Sequence, residues 1–411
     1  MAVWNGRNLS RISTSKQEFS KDIIFSILKM VSFFDIGNIK IESHILIIKE
    51  FFIMSTISLC MIVKNEEESL ARCLDSIAGL VDEIVIVDTG SEDRTVEIAQ
   101  TYTSNVYTFP WIDDFAAARN YSFSKATKEF CMWLDADDVI EEVQQKEFRR
   151  VKESLNPETD VVMMKYDVAF DEKGKPTFSY YRERILRNDG THIWKGAVHE
   201  AIVPQGTIIY SEAAVSHKKI KPGDSDRNLR IYRKMLAEGE VLEARHQYYY
   251  ARELYYHAEY QEASDALSVF FDLPEGWIEN KIEACAIASY CYERLNLPEK
   301  ALMVLFQSFQ YDVPRAEICC DIGKWFLSRN KYQQAIFWYR KALEAEKDLH
   351  RGGFLLLDCY DYLPYIQLCV CYDRIGDHEN ARRYNEKAGM CKPDSAAYRQ
   401  NREYFDKLTQ M

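Results

Sequence analysis

Apolar and polar positions follow two rhythms along this chain, and the change of rhythm marks its organisation. From residue 56 to about 140, short apolar runs alternate with stretches at helical spacing. Ile57–Val63 is an apolar run, followed by Glu66–Leu80, where Leu70, Cys73, Leu74 and Ile77 fall on one helical face. Glu83–Val87 reads as a buried strand ending at Asp88. Ser91 is the expected N-cap of a helix over Asp93–Tyr102. A third strand follows at Asn105–Phe109, a third helix at Phe115–Ala126, and a fourth strand, Phe130–Leu134, stops at Asp135. Alternation of this kind predicts a parallel sheet, whose ligands sit beyond the carboxyl ends of its strands. Asp88 and Asp135 both fall at such ends.

Between about 158 and 220 the pattern becomes strand after strand, as in "DVVMMKYDVAF" and "FSYYRERILR", with turn residues between. Antiparallel strands added to the parallel sheet fit this stretch. After about residue 225 strand patterns vanish and similarity recurs within the chain. "YQEASDALSVF", "PEKALMVLFQS", "YQQAIFWYRKA" and "HENARRYNEKA" align on Ala263, Ala301, Ala335 and Ala381. The step from Ala301 to Ala335 is the 34-residue tetratricopeptide period; the other steps are longer and carry inserted loops. Ala251/Leu254, Ser289/Tyr292, Gly323/Phe326 and Cys369/Tyr372 repeat upstream as small and large pairs. Small residues there let paired helices pack closely. The expected division is therefore an N-terminal extension over 1–53, a catalytic domain over 54–225 and a helical repeat domain over 226–411.

Residues 1–53 have no clean period. Charged residues interrupt "DIIFSILKMVSFFDIGNIKIESHILIIKEFFI" too often for a membrane span, and no signal-peptide cleavage site follows. The segment reads either as a small helical extension or as a start placed upstream of the true one at Met54. Composition narrows the class further. A formal net charge of −12 argues against a nonspecific nucleic-acid binder. The eleven cysteines show no C-x-x-C and no zinc spacing. Buried thiols in a reduced, cytoplasmic protein are expected.

The chemistry concentrates at "MWLDADD", residues 132–138. Three carboxylates at the end of a buried strand repel one another, and desolvating them costs several kcal/mol unless something compensates. A D-x-D pair can grip a hard divalent cation, which in turn can bind a diphosphate. The dipeptide pattern is weak alone, since about two would arise by chance in so acidic a chain. Its place at a strand end strengthens it. Asp138 reads as solvated rather than as a ligand. Asp88 reads either as a nucleotide contact or as a cap of the helix after the turn "TGSEDRT", a place that suits Ser91 better.

"ISLCMIVKNEEESLARCLDSIAGLVDEIVIVDTGSEDRT" followed by "WLDADD" resembles the sugar-nucleotide domain of family 2 glycosyltransferases, over residues 56–220. "DDFAAARN" (113–120) and "WKGAVHEAI" (194–202) are similar to a subgroup with lipopolysaccharide-core β-glucosyltransferases and glycocin S-glycosyltransferases of the sublancin type. The latter join this domain to helical repeats. The resemblance implies an α/β GT-A fold with a mostly parallel, Rossmann-like sheet, followed by an all-α tetratricopeptide-like domain. It implies an inverting enzyme that moves a hexose from a UDP-sugar with the help of Mg2+ or Mn2+.

Roles follow residue by residue from the resemblance. Asp88 matches the position that holds the uracil or its ribose. Asp135 and Asp137 match the D-x-D, with Asp135 toward ribose and metal and Asp137 a metal ligand. Arg119 and Asn120 match an R-N pair near the nucleotide. The family's general base lies in an x-E-D element; here the stretch is Val198-His199-Glu200, which makes Glu200 the candidate base and His199 the next. Gly196 falls in the small loop beside the acceptor. His217 matches a later histidine added to the metal. His199 and His217 are equally readable as ordinary hydrogen-bonded histidines. Arg184 and Arg187 suit phosphate oxygens or pairing with nearby acids. The run "QYYYARELYY" reads as repeat core before sugar platform.

The acceptor implied is a peptide or protein, at Cys or Ser/Thr, held by the concave repeats. The glycocin enzymes also suggest a homodimer through the repeats. Two alternatives stand: transfer to a surface polysaccharide or lipid-linked glycan, and a repeat scaffold with a degenerate sugar-nucleotide domain.

Overall fold

A computed structural model describes residues 55–170, 174, 176–220, 224–348 and 355–409. The expectations for residues 1–53 lie outside this set. The sheet has eight strands: β1 Ile57–Val63, β2 Glu83–Asp88, β3 Val106–Thr108, β4 Phe130–Trp133, β5 Asp138–Val139, β6 Val161–Phe170, β7 Pro176–Arg187 and β8 Ile208–His217. Their order is β3-β2-β1-β4-β7-β6-β8-β5. β1 to β4 run parallel, with helices α1 Leu70–Ile77, α2 Thr95–Tyr102 and α3 Phe115–Phe123 as crossovers. α4, Glu142–Ser154, covers the far half of the sheet through Phe148 and Val151.

The apolar runs form strands because both of their faces are covered. Ile57, Leu59 and Met61 join one core with Leu70, Leu74, Ile77 and Phe148, while Cys60 packs on the other face with Val85 and Cys131. A strand buried on both faces reads as a continuous run rather than an alternation. β1 lies between β2 and β4, so the strand order reverses at its carboxyl end, where such sheets open a crevice. β7 and β6 form an antiparallel pair, and β6 runs parallel to β8. The two-residue β5 pairs Asp138 with His217 and Val139 with Ser216. No sequence pattern announces so short a strand, yet it sets Asp138 beside His217.

Ser91 does not cap α2. The helix starts at Thr95, whose amide bonds the Asp93 carboxylate, while the Ser91 hydroxyl accepts from the Asn65 amide.

After β8 the regular elements among the described residues are helices. α5 is Arg227–Ala237, and four hairpins follow: α6 Ala244–Tyr256 with α7 Tyr260–Asp272, α8 Ile278–Arg294 with α9 Pro298–Gln307, α10 Ala316–Leu327 with α11 Tyr332–Glu344, and α12 Tyr362–Arg374 with α13 His378–Cys391. α14, Ala396–Thr409, packs last. The aligned alanines Ala263, Ala301, Ala335 and Ala381 each sit in the second helix of a hairpin with no exposure. Five positions before each, the turn takes a left-handed residue: Ala258, Asn296, Asn330 and Gly376, with φ between 57° and 82°. The same turn thus recurs with three residue types, alanine, asparagine twice and glycine, of which alanine is the most strained. Gly323 lies where a Cβ would stand 2.9 Å from the Tyr339 ring, which explains the small residue in the upstream pair. No helix of the described residues is long and apolar enough to cross a membrane.

Candidate active site

A cavity of about 410 Å3 opens beyond β1 and β4. Its walls include Lys64 and Glu66 after β1, Arg119 of α3, Asp135 and Asp137 after β4, His199 and Glu200, and His217 at the end of β8. The site divides into a part built by the sheet and a part built by a loop.

In the sheet part, the β5–β8 pairing brings Asp138 beside His217, and the Lys218 amide donates to the Asp137 carbonyl at 2.9 Å. His217 Nδ1 is 3.4 Å from an oxygen of Asp137 and 3.4 Å from one of Asp138. Asp138 is fully buried, not solvated as its sequence suggested. It accepts from the Tyr166 hydroxyl at 2.9 Å, from Arg184 Nη1 at 3.1 Å and from the Asp135 amide at 3.1 Å. The turn that presents Asp135 and Asp137 is therefore pinned from beneath by Asp138. Burial lifts the Asp137 carboxyl above the usual carboxylate range, and the neighbouring Asp135 and Asp138 add to the lift. The hydrogen bond to Asp138, with the adjacent carboxylates, makes His217 more basic than an ordinary histidine.

Asp137, Asp138 and His217 each offer a ligand atom, all within 4.8 Å of one another. Carboxylate oxygens with one imidazole suit Mn2+ or Mg2+. Asp138 is buried and already partnered by Tyr166, Arg184, the Asp135 amide and His217, so Asp137 and His217, which line the cavity, are the residues that could hold a cation.

Arg119 joins the two parts. It is buried between the rings of Trp133 and Trp194, at 5.1 and 4.9 Å. Its Nη2 donates to Asp135 at 2.8 Å and its Nε donates to Glu200 at 2.7 Å. Burial disfavours its charge, yet the two carboxylates outweigh that and hold Arg119 more firmly protonated than usual. Burial likewise opposes ionisation of Asp135, and the Arg119 charge overcomes it, leaving Asp135 below the ordinary range.

The loop part is residues 194–202, which carry Glu200. Asn120 Nδ2 donates to the Trp194 carbonyl and its Oδ1 accepts from the Trp194 amide, both at 2.9 Å. Asn120 thus holds the loop backbone and not a nucleotide. Lys195 and Ala201 bond each other across the loop base, and the Phe115 amide donates to the Ala197 carbonyl at 2.9 Å. Gly196 takes φ 100° and His199 φ 51°, so the chain turns sharply on both sides of Val198. Val198 is buried among Ile231, Tyr232 and Leu242.

Three further expected residues stand elsewhere. The Asp88 carboxylate accepts from the amides of Gly90 and Ser91 at 3.0–3.2 Å, so it ties its own turn and does not cap the helix beyond; Thr89, not Asp88, lines the cavity. Arg184 is wholly buried, stacked over Trp133 at 3.8 Å and paired with Asp138, so it supports the acidic turn and cannot reach a phosphate. Arg187 pairs with Asp160 and donates to the carbonyls of Asn156, Pro157 and Thr159, stapling a surface loop instead. The two arginine corrections have one cause. Arginine satisfies carbonyls and buried acids as readily as phosphate, and sequence order does not say which is near. Lys64, Lys219, Arg227 and Asn228 line the cavity without having been singled out, because no motif marks them.

Residues 58–210 match the family described as Glycosyl transferase family 2. The SPbeta prophage-derived glycosyltransferase SunS of Bacillus subtilis is 27% identical over 227 residues, which is 52% of each chain. A TPR repeat-containing protein of Synechococcus elongatus is 46% identical over 87 residues, 21% of this chain and 22% of that one. An uncharacterized glycosyltransferase of Rickettsia typhi is 32% identical over 103 residues, 25% of this chain and 35% of that one. The chain thus spans about half, at most, of the length of these relatives. Residues 58–210 are a glycosyltransferase family 2 domain of GT-A fold, on a chain that continues into tetratricopeptide-like helical hairpins.

Proposed function

We propose that the protein is an inverting glycosyltransferase that moves a hexose from a UDP-sugar to a peptide or protein acceptor. The observation that carries this reading is the Arg119 guanidinium, which ties Glu200 to Asp135 inside one cavity at the strand-order reversal. One buried cation thereby fixes the spacing between an acceptor-side and a donor-side carboxylate.

In this reading Asp137 and His217 would hold a divalent cation, which would supply positive charge to offset that of the departing diphosphate. The acceptor atom attacks the anomeric carbon from the face opposite the diphosphate. Glu200 takes the acceptor proton, and Arg119 orients Glu200 for that transfer. Lys64, Lys219 and Arg227 supply positive charge along the cavity wall. The repeats serve as the arm for an extended acceptor and as the surface through which two chains pair. The join of this domain to helical repeats, as in the glycocin enzymes it resembles, favours a peptide acceptor over a glycan.

The test is Glu200→Gln with Cys and Ser forms of one acceptor peptide. A hydroxyl needs a base strongly, whereas a thiol with an ordinary pKa near 8.5 needs it less. Transfer to Ser is expected to fall about 100-fold and transfer to Cys by less, with UDP binding kept. Wild-type rates on both peptides would remove Glu200 as the base.

A further inference from the structure

His199, beside the candidate base, faces the helical repeats. Its ring stacks on Tyr249 of α6 with centroids 4.2 Å apart and planes 15° apart. Its Nε2 lies 2.7 Å from Oε1 of Glu253, one turn further along α6. The same oxygen accepts from Asn228 Nδ2 of α5 at 3.0 Å. Arg245, also on α6, donates to the His199 carbonyl at 3.0 Å. Ring and backbone of one residue are thus both held by the first helix of the first hairpin. Glu253 is itself buried. A buried carboxylate on a repeat helix is costly unless partnered, and its partners here are a residue of the catalytic loop and the preceding helix.

His199 sits in the left-handed region, at φ 51°, which costs a non-glycine residue about 1 kcal/mol or more. That conformation sets the direction in which the next residue leaves the turn. The next residue is Glu200, whose Oε1 is 2.7 Å from Arg119. From these contacts we infer that Glu253 is a positioning residue: it accepts a hydrogen bond from His199 Nε2 and so fixes the conformation that aims Glu200 into the cavity. This inference rests on the reading of Glu200 as the base. It assigns the repeats a part in the chemistry, beyond holding an acceptor.

Glu253→Ala and Glu253→Gln in the full chain test it, with UDP-glucose hydrolysis as the rate and UDP binding as the control. Glutamine keeps an acceptor oxygen at the same reach, and alanine removes it. Positioning predicts that kcat falls about 10- to 100-fold in Glu253→Ala, that UDP affinity stays within about twofold, and that Glu253→Gln keeps most of the rate. Should Glu253→Ala fail to fold, Tyr249→Leu, which removes the stacking ring alone, is expected to lose about tenfold with UDP affinity kept. Wild-type kcat in Glu253→Ala, or in Tyr249→Leu where that variant stands in, overturns the inference. So does a fall that Glu253→Gln or UDP affinity shares equally. Glu200→Gln measured in parallel separates the two claims. Full turnover in Glu253→Ala beside a slow Glu200→Gln overturns the positioning role and leaves Glu200 as the base. A slow Glu253→Ala beside a normal Glu200→Gln overturns the base and the inference that rests on it. Absence of UDP-glucose turnover in the wild type, repeated across other UDP-hexoses, overturns both.

Discussion

The two halves of this site are built in different ways. The carboxylates of the D-x-D turn hang on strand ends, and their positions follow from backbone register: Cys60 pairs with Trp133, and Asp138 pairs with His217. Glu200 hangs on a loop whose shape is imposed from outside by Asn120, Arg245, Tyr249 and Glu253. Ladder hydrogen bonds place a strand end locally and cooperatively. A loop has no ladder, so its conformation is as good as the side chains packed against it. Damage to the sheet half should therefore act through Asp135, Asp137 and His217 themselves, whereas the loop half should be breakable from the repeats.

The largest expected effect is in the sheet half. Asp137→Asn keeps the volume and removes an anionic ligand, with several kcal/mol of transition-state stabilisation at stake, about a thousand-fold in UDP-sugar turnover. The melting temperature should hold, and EDTA should reproduce the loss in the wild type. Activity indifferent to both would break the metal assignment.

The loop half is next. A Cβ on Gly196 would stand 2.4 Å from His246 Nε2, at a φ of 100°. Gly196→Ala should slow turnover about 10- to 100-fold with UDP affinity kept, since the donor side is untouched. Adding His246→Ala should restore part of the rate by removing the clash. A Gly196→Ala variant that loses UDP binding instead would merge the two halves.

Polar groups buried within the repeats away from the loop should alter stability and leave UDP-sugar turnover unchanged. Burial lifts the half-buried Asp321 of α10 to about 6, with Glu317 one turn away adding to the lift. An acid whose folded pKa is raised binds its proton more tightly folded than unfolded. Its stability contribution is therefore intact below about pH 4 and is lost as pH rises to about 6. Asp321→Asn should match the wild type near pH 4 and exceed it by about 1–2 kcal/mol at pH 7.5, with turnover unchanged. Equal melting temperatures at both pH values would refute the shift. The smallest effect is Ala258→Gly, which relieves the only alanine among the four left-handed turns. A gain of about 0.5–1 kcal/mol in chemical denaturation is expected, and a loss would mean the Cβ packs usefully there.

The sequence by itself determined a great deal. Apolar runs buried on both faces, helical spacing between them and the step from antiparallel strands to repeating alanines made the catalytic sheet and the hairpins legible. Asp135, Asp137, Arg119, Glu200, His199 and His217, singled out by motif, all line one cavity. These features are local, or recur at a fixed period, so one chain suffices to read them. Tertiary structure decided the rest. Only folding showed that Asp138 is a buried support, that Arg184 and Arg187 face protein groups, that Asn120 grips a backbone, and that Asp88 caps its own turn. The same holds for Glu253, which stands 54 residues from His199 in a helix whose pattern reads as repeat core. A charged side chain takes whichever opposite group the fold brings within about 3 Å, and that choice is made by packing between distant segments rather than by neighbours along the chain.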